Sequence, residues 1–281
     1  MPYHIPPELW RDIFTILRDD GDDDWQDLSR ASQHQRRSTL IPLLLTCRDF
    51  RDIAESLLYE HAVLYVHKGG SRSGTVVDAL EAKKERGEWV KTLVATRRPT
   101  GRKDRDDELP NKETILIERA LKCIPKLRGL RLFRTLISDK IERWILTHPT
   151  LQTLILQRCD FTRKGRHEIN LTESKITKLT LSQSSPVLKF PFGEVSQLFA
   201  LGRLTELTVT VPFFNRIAEL VSAHIEALHG LRRLSIQLPT GCTNTHDKTD
   251  FAVQLFPFLL RSPNLTHLLM QAGVTAPSLD T

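Results

Sequence analysis

The chain has 281 residues, 40% hydrophobic and 26% charged, a globular balance that sets an expectation of about two domains. No apolar run approaches the roughly 18 residues of a membrane helix, and the opening MPYHIPPELWRD lacks the basic region and apolar stretch of a secretory signal. The net charge of +6 divides unevenly: residues 1–60 hold 7 Lys/Arg against 12 Asp/Glu and residues 61–281 hold 33 against 22, so an acidic head precedes a basic body and two kinds of partner are expected.

Residues 5–17, IPPELWRDIFTIL, are expected to form a helix. Two prolines suit its first turn, where a missing N–H costs nothing. Leu9, Ile13 and Leu17 fall on one face, with Trp10 and Phe14 beside it. The helix should stop near Arg18, and the polar stretch 19–37 reads as an inserted loop. A second helix is expected from about Thr39, capped by Ser38 or Thr39 with Pro42 in its first turn. Leu43, Cys47, Phe50, Ala54 and Leu57 then recur at spacings of 4, 3, 4 and 3. HAVLYV, 61–66, is β-branched and aromatic and reads as a strand.

Beyond residue 60 the sequence repeats. Leu-x-x-Leu-x-Leu occurs at Leu127/Leu130/Leu132 and Leu151/Leu154/Leu156. Aliphatic variants stand at Ile176/Leu179/Leu181, Leu204/Leu207/Val209, Leu231/Leu234/Ile236 and Leu265/Leu268/Met270, with weaker copies at Val90/Leu93/Ala95 and His61/Leu64/Val66. The intervals lie mostly in or near the 20–29 residues of leucine-rich repeats. The last two apolar residues of each copy alternate with polar ones on a short strand and point inward. Helical stripes return the chain between copies: Leu116, Ala120, Leu121 and Ile124; Ile141 and Ile145; Ile217, Leu220, Val221, Ile225 and Leu228. One such unit cannot bury its own apolar face, so stacking is obligatory. The expected fold is therefore an α/β solenoid, an irregular horseshoe. It is degenerate after the strand, where only Cys159 matches the usual Asn/Cys; Thr135, Ser184, Pro212, Pro239 and Gly273 stand at that place in the other copies. Segments 97–110 and 239–250 lengthen two intervals and read as exposed loops.

Several motifs fail on their chemistry. In KGGSRSGT, 68–75, Thr75 stands where a phosphate loop needs Lys, so a flexible strand-to-helix connection is the better reading. DDGDDD, 19–24, has adjacent rather than alternating acids and is no EF-hand loop. Cys47, Cys123, Cys159 and Cys242 form no Cys-x-x-Cys pair, which argues against a zinc site or a disulfide framework and fits a reducing intracellular compartment. No His-Glu-x-x-His and no Gly-x-Ser-x-Gly occurs. No metal, no cofactor and no catalysis are expected.

IPPELWRDIF resembles the opening of an F-box, usually Leu-Pro-x-Glu before an apolar helix ending in Ile-Phe/Leu. LLLTCRDFRDIAESLLYEHAVLYV is similar to its second half, with Cys-Arg-x-Trp/Phe and Leu-Trp/Tyr before the first strand. Ile5 replaces the usual Leu and Phe50 the usual Trp. The resemblance covers residues 5–66 and divides the chain into an F-box-like helical domain, 1–60, and a leucine-rich-repeat-like domain, 61–281. It implies docking on the Skp adaptor, and through it a cullin, of an SCF ubiquitin ligase, with the repeats presenting a protein substrate. The residues implied for adaptor binding are Ile5, Pro6, Pro7, Leu9, Ile13, Phe14, Leu43, Leu44, Cys47 and Phe50. Two short helices hold more apolar surface than they can hide from each other, so a partner helix or the first repeat must cover the rest.

On the strands, residues between the core positions face outward. Of these, Phe133, Ile155 and Leu269 are expected anchors, while Arg131, Lys178 and Arg233 favour an acidic or phosphorylated segment. Two other readings compete. One is a repeat scaffold that binds protein outside any ligase. The other is a nucleic-acid binder, motivated by the basic body and weakened by 7% aromatics and the acids Asp104, Asp106, Asp107 and Glu108 among the basic residues of 97–110.

Overall fold

The computed structural model describes residues 5–19, 40–66, 75–97, 110–161, 175–182, 203–210, 229–238, 255–260 and 262–272. The expected loops at 20–37, 98–109 and 239–250, the connection at 68–74, the stripe Ile217–Leu228 and Cys242 lie outside them.

Helix α1 runs Pro7–Asp19, with Pro7 in its first turn as the sequence requires. The second helix is not continuous. Pro42–Leu45 is a 3-10 turn, and α2, Arg48–Glu60, starts afresh after Cys47, whose φ of −145° and ψ of 172° are extended. At the break the Thr46 hydroxyl donates to the Leu43 carbonyl at 2.8 Å. Arg51 Nε donates to the Leu44 carbonyl at 3.1 Å. The expected helix from Thr39 is thereby corrected to a turn and a helix.

Strand β1, His61–Val66, follows α2 with no intervening residue. Helices α3, Thr75–Ala82, and α4, Lys84–Trp89, lead to β2, Thr92–Arg97. Helix α5, Pro110–Lys122, precedes β3, Gly129–Phe133, and the short β4, Leu136–Ile137. Helix α6, Asp139–Thr147, is capped by Ser138, whose Oγ accepts from Ile141 N at 3.2 Å. Strands β5, Thr153–Gln157, β6, Asp160–Phe161, β7, Lys178–Ser182, β8, Glu206–Thr210, and β9, Arg233–Leu238, follow. A short helix α7 at 255–260 precedes β10, His267–Ala272.

Eight strands form one open parallel sheet in the order β1-β2-β3-β5-β7-β8-β9-β10, each laid beside the strand of the preceding sequence copy; β4 and β6 pair separately. A forked hydrogen bond recurs before six of the strands, β3, β5, β7, β8, β9 and β10. The carbonyls of Lys91, Arg128, Gln152, Thr177, Thr205 and Arg232 each accept two N–H groups from the next copy at 2.8–3.0 Å. The predicted core positions meet in register, Leu93, Leu130, Leu154, Leu179, Leu207, Leu234 and Leu268 in one row. All but Leu268 share one buried core with Val77 and Leu80 of α3, Ile117 and Leu121 of α5, and Ile141 and Ile145 of α6; Leu268 and Met270 on the edge strand β10 keep the register but are 43% and 45% exposed, so the expectation that they fill the core is corrected.

The first strand needs a correction. Ala62, not Leu64, pairs with Leu93, and Leu64 pairs with Ala95. The first copy is therefore Tyr59/Ala62/Leu64 rather than His61/Leu64/Val66, a shift of two residues that keeps the same side inward.

The head is tied to the sheet. Glu55 of α2 receives Arg86 Nη2 of α4 at 2.7 Å and Nζ of Lys83, the residue before α4, at 3.4 Å, and the Arg86 guanidinium lies 5.2 Å from the Tyr59 ring centre. Burial works against the Glu55 carboxylate, yet the hydrogen bond and charge of Arg86, with Lys83 adding, hold its pKa below the ordinary value. Among the described residues, no helix is long and apolar enough to cross a membrane.

Glu142 of α6 shows the opposite shift. Burial, with the neighbouring Asp139 carboxylate, pushes it up to about 7. The folded chain thus holds this proton more tightly than the unfolded one. Its contribution to stability is present below pH 4.5 and is lost as the pH rises through 7. Glu142→Gln is expected to raise Tm at pH 8 by about 2–4 °C, since solvent screening of a half-buried group leaves roughly 1 kcal/mol, and to leave Tm nearly unchanged at pH 4. Thermal melts at the two pH values check this.

Candidate functional site

Two surfaces remain once the core is accounted for. The first is on the head. Trp10, Phe14 and Phe50 pack with ring centres 4.7–5.9 Å apart, and Phe14, Leu40, Ala54 and Leu57 are buried beneath them. Leu43, Leu44 and Phe50 are half-buried against this cluster. Leu9, Ile13 and Ile16, at i, i+4 and i+7, fall within an arc of about 60° on α1 and do not join it. Leu9 is 52% exposed and Ile16 66%, while Leu45 on the 3-10 turn reaches 79%. Ile5, Leu17 and Ile41 are exposed as well. Large aliphatic groups in such number on one small head exceed the scattered apolar residues normal on a surface.

Of the ten residues expected to touch an adaptor, Ile5, Pro6, Pro7, Leu9, Ile13 and Cys47 are exposed. Leu43, Leu44 and Phe50 are partly so, and Phe14 is 1% exposed. Phe14 is thus corrected from a contact to a core residue: it lies about 140° round the helix from Leu9 and faces α2. Ile16, Leu17, Ile41 and Leu45 were not among the ten. The i, i+4, i+7 spacing of Leu9, Ile13 and Ile16 is the sequence signal that marks Ile16.

The second surface is the face of the sheet opposite the core. Its residues stand in registered rows. One row runs His61, Thr92, Gly129, Thr153, Lys178, Glu206, Arg233, His267; the next runs Val63, Val94, Arg131, Ile155, Thr180, Thr208, Ser235, Leu269. Four of the six expected substrate contacts, Arg131, Phe133, Lys178 and Arg233, have defined polar or cation–π neighbours. Gln157 Oε1 accepts from Arg131 Nε at 3.0 Å and from Nη2 at 2.6 Å. Glu206 lies between Lys178, 3.0 Å away, and Arg233, 3.9 Å away, on the two adjoining strands, so these cations share one carboxylate.

Ile155 is 3% exposed and cannot serve as an accessible anchor. Arg131 and Thr180 flank it in register on strands about 4.8 Å away. Leu269 is half-exposed on β10, five strand spacings, or roughly 24 Å, from Arg131. The six residues therefore lie on one face without forming one site.

Phe133 has company that the residue list lacked. The guanidinium carbons of Arg134 and Arg158 lie 5.3 and 5.9 Å from its ring centre. Both arginines have left-handed backbones, φ 54° and 53°, at the same place after β3 and β5. Each costs about 1 kcal/mol relative to glycine there. The turn sends the next residue inward, where Thr135 Oγ1 and Cys159 Sγ meet at 3.6 Å and Sγ donates to the Leu132 carbonyl at 3.2 Å. The degenerate Asn/Cys position is thus filled by a Thr–Cys pair. Set against models of known protein families and against curated proteins, the chain matches none.

Proposed function

We propose that the chain is an F-box protein with degenerate leucine-rich repeats, a non-catalytic substrate receptor of an SCF-type ubiquitin ligase acting inside the cell. In this reading residues 1–60 dock on a Skp-type adaptor and the sheet of 61–281, read as a solenoid, holds a protein substrate. It raises the concentration of that substrate near the ubiquitin-charged enzyme and performs no bond chemistry. The observation that carries it is the aliphatic stripe Leu9, Ile13 and Ile16, left exposed beside a packed aromatic core on the head. An amphipathic groove or helix of a partner fits such a stripe.

Co-expression with a Skp-type adaptor tests it. The wild-type chain is expected to co-purify with the adaptor, and Leu9→Glu with Ile13→Glu to weaken binding at least about tenfold, because each charge occupies a contact that burial would otherwise stabilise. An unchanged yield of complex with the double variant overturns the docking surface. No complex with the wild-type chain favours the ligase-free scaffold.

A further inference from the structure

We propose that β10 pairs edge to edge with β10 of a second copy of this chain, joining two sheets across a two-fold axis at Leu269. Self-association of this kind goes beyond the proposed function and does not depend on it.

The sheet ends in β1 on one side and β10 on the other, and the two edges differ. Ala62, Val63, Leu64 and Val66 of β1 are buried. On β10 three consecutive large apolar residues, Leu268, Leu269 and Met270, are exposed. The preceding helix, α7, buries Phe258 in the core and leaves Phe256 and Leu260, at i and i+4, exposed on its other side. An edge strand normally guards itself with a charge, a proline or a bulge. HLLMQA holds no Lys, Arg, Asp, Glu or Pro, and it pairs with β9 residue for residue without a bulge.

The backbone fixes how a second strand joins. His267 N donates to the Arg232 carbonyl at 3.0 Å, so His267 and Leu269 turn their backbone groups to β9. Leu268 and Met270 turn theirs to the open edge, where no described strand lies. An antiparallel copy centred on Leu269 sets Leu268 opposite Met270 of the second copy, and Met270 opposite its Leu268. Each of these pairs exchanges both backbone hydrogen bonds. The same register brings Leu268 against Met270 on the core side and Leu269 against its own counterpart on the outer face. Every exposed apolar residue of the strand thus finds an apolar partner.

The shape selects a second copy among occupants. A lone extended peptide would cover the strand and leave Phe256 and Leu260 in water. A two-fold axis normal to the sheet lays the two α7 helices side by side under the joined sheet, so strand and helix are covered together. Head-to-tail growth would need β1 to receive β10, and residues 61–66 offer no exposed large apolar side chain. The five exposed side chains of β10 and α7 present roughly 550 Å² per copy, about 1,100 Å² for the pair. That lies close to the lower bound of a stable interface before the strand backbone and its polar neighbours add to it.

Sedimentation velocity of the full chain at about 50 µM tests this, and a species of two-chain mass in exchange with monomer is expected. Leu269→Lys sets like charges against each other at the axis and should weaken association at least about tenfold. Met270→Pro removes an N–H aimed at the open edge and none that β9 uses, and should do the same. Thr180→Lys, three strands inward on the same face, should leave association within about twofold. Cross-linking reads the register without relying on these variants. Under mild oxidation Leu269→Cys should join two copies through that residue, while Ser235→Cys, one strand from the axis, should give no more covalent dimer than the wild-type chain. A monomer at that concentration, assemblies larger than two chains, undiminished association in Leu269→Lys or Met270→Pro, or equal cross-linking by the two cysteine variants overturns the pairing.

Discussion

Replacing Gly87 by alanine is expected to lower Tm by roughly 5–10 °C, equivalent to about 2–3 kcal/mol. Gly87 lies in α4, buried against the end of α5, where an added Cβ would stand 1.8 Å from the Cys123 carbonyl oxygen and 3.0 Å from its carbon. Those are backbone atoms and cannot rotate away as the tip of a side chain would. The Cys123 amide is itself held by the Ala120 carbonyl at 3.0 Å, so the obstacle is fixed. Relief requires α4 to separate from that turn, which loosens Val90 and Leu121 in the core on either side. The variant keeps every polar contact, so steric separation alone produces the loss. Thermal denaturation checks it, and a wild-type melting curve would show that the two elements slide freely.

The second large effect separates core from surface on the head. Phe14→Ala is expected to destabilise the head by about 3–5 kcal/mol, since it empties the centre of the Trp10–Phe14–Phe50 cluster. Leu9→Ala, one helical turn away and half-exposed, should change stability by less than about 0.5 kcal/mol. Hydrogen exchange of the amides in α2 provides the measurement: protection should fall with Phe14→Ala and stay with Leu9→Ala. Equal effects would mean that the stripe and the cluster act as one core. If the docking reading is right, adaptor affinity orders the pair differently, because Leu9→Ala removes contact without loosening the head.

These cases show where the sequence was readable. Six copies from Leu127 to Met270 stand in the register their spacing predicts, because polar residues alternate with apolar ones and period two fixes which side faces the core; in the last copy Leu268 and Met270 keep that register on the edge strand but stay exposed. The first strand slipped by two residues because Ala62, Val63, Leu64 and Val66 are all buried. Ala62, Leu64 and Val66 all stand on the inward side, so two adjacent pairs fit the pattern equally and spacing alone does not choose between them. The break before α2 escaped because the apolar spacing runs straight through it: Leu43, Cys47 and Phe50 keep helical intervals although the backbone at Cys47 is extended. On the sheet, the pairing of Lys178, Glu206 and Arg233 was implicit, since all three hold the same place in successive copies. The burial of Ile155 was not, because it depends on how neighbouring side chains lie over it. Arg134 and Arg158 were overlooked because the strand pattern ends one residue before them, although both stand four residues after a core leucine.

The direct run of α2 into β1 has a mechanical consequence. A hinge needs residues whose backbone angles can swing while their neighbours stay put, and between Glu60 and His61 there is none. Turning the head would unwind the last turn of α2 and pull Glu55 from Arg86 and Lys83. The chain therefore behaves as a bracket rather than a tether. Whatever is gripped at α1 and whatever is gripped on the sheet stand at a constant distance and angle, and any reach needed between them must come from the gripped molecules.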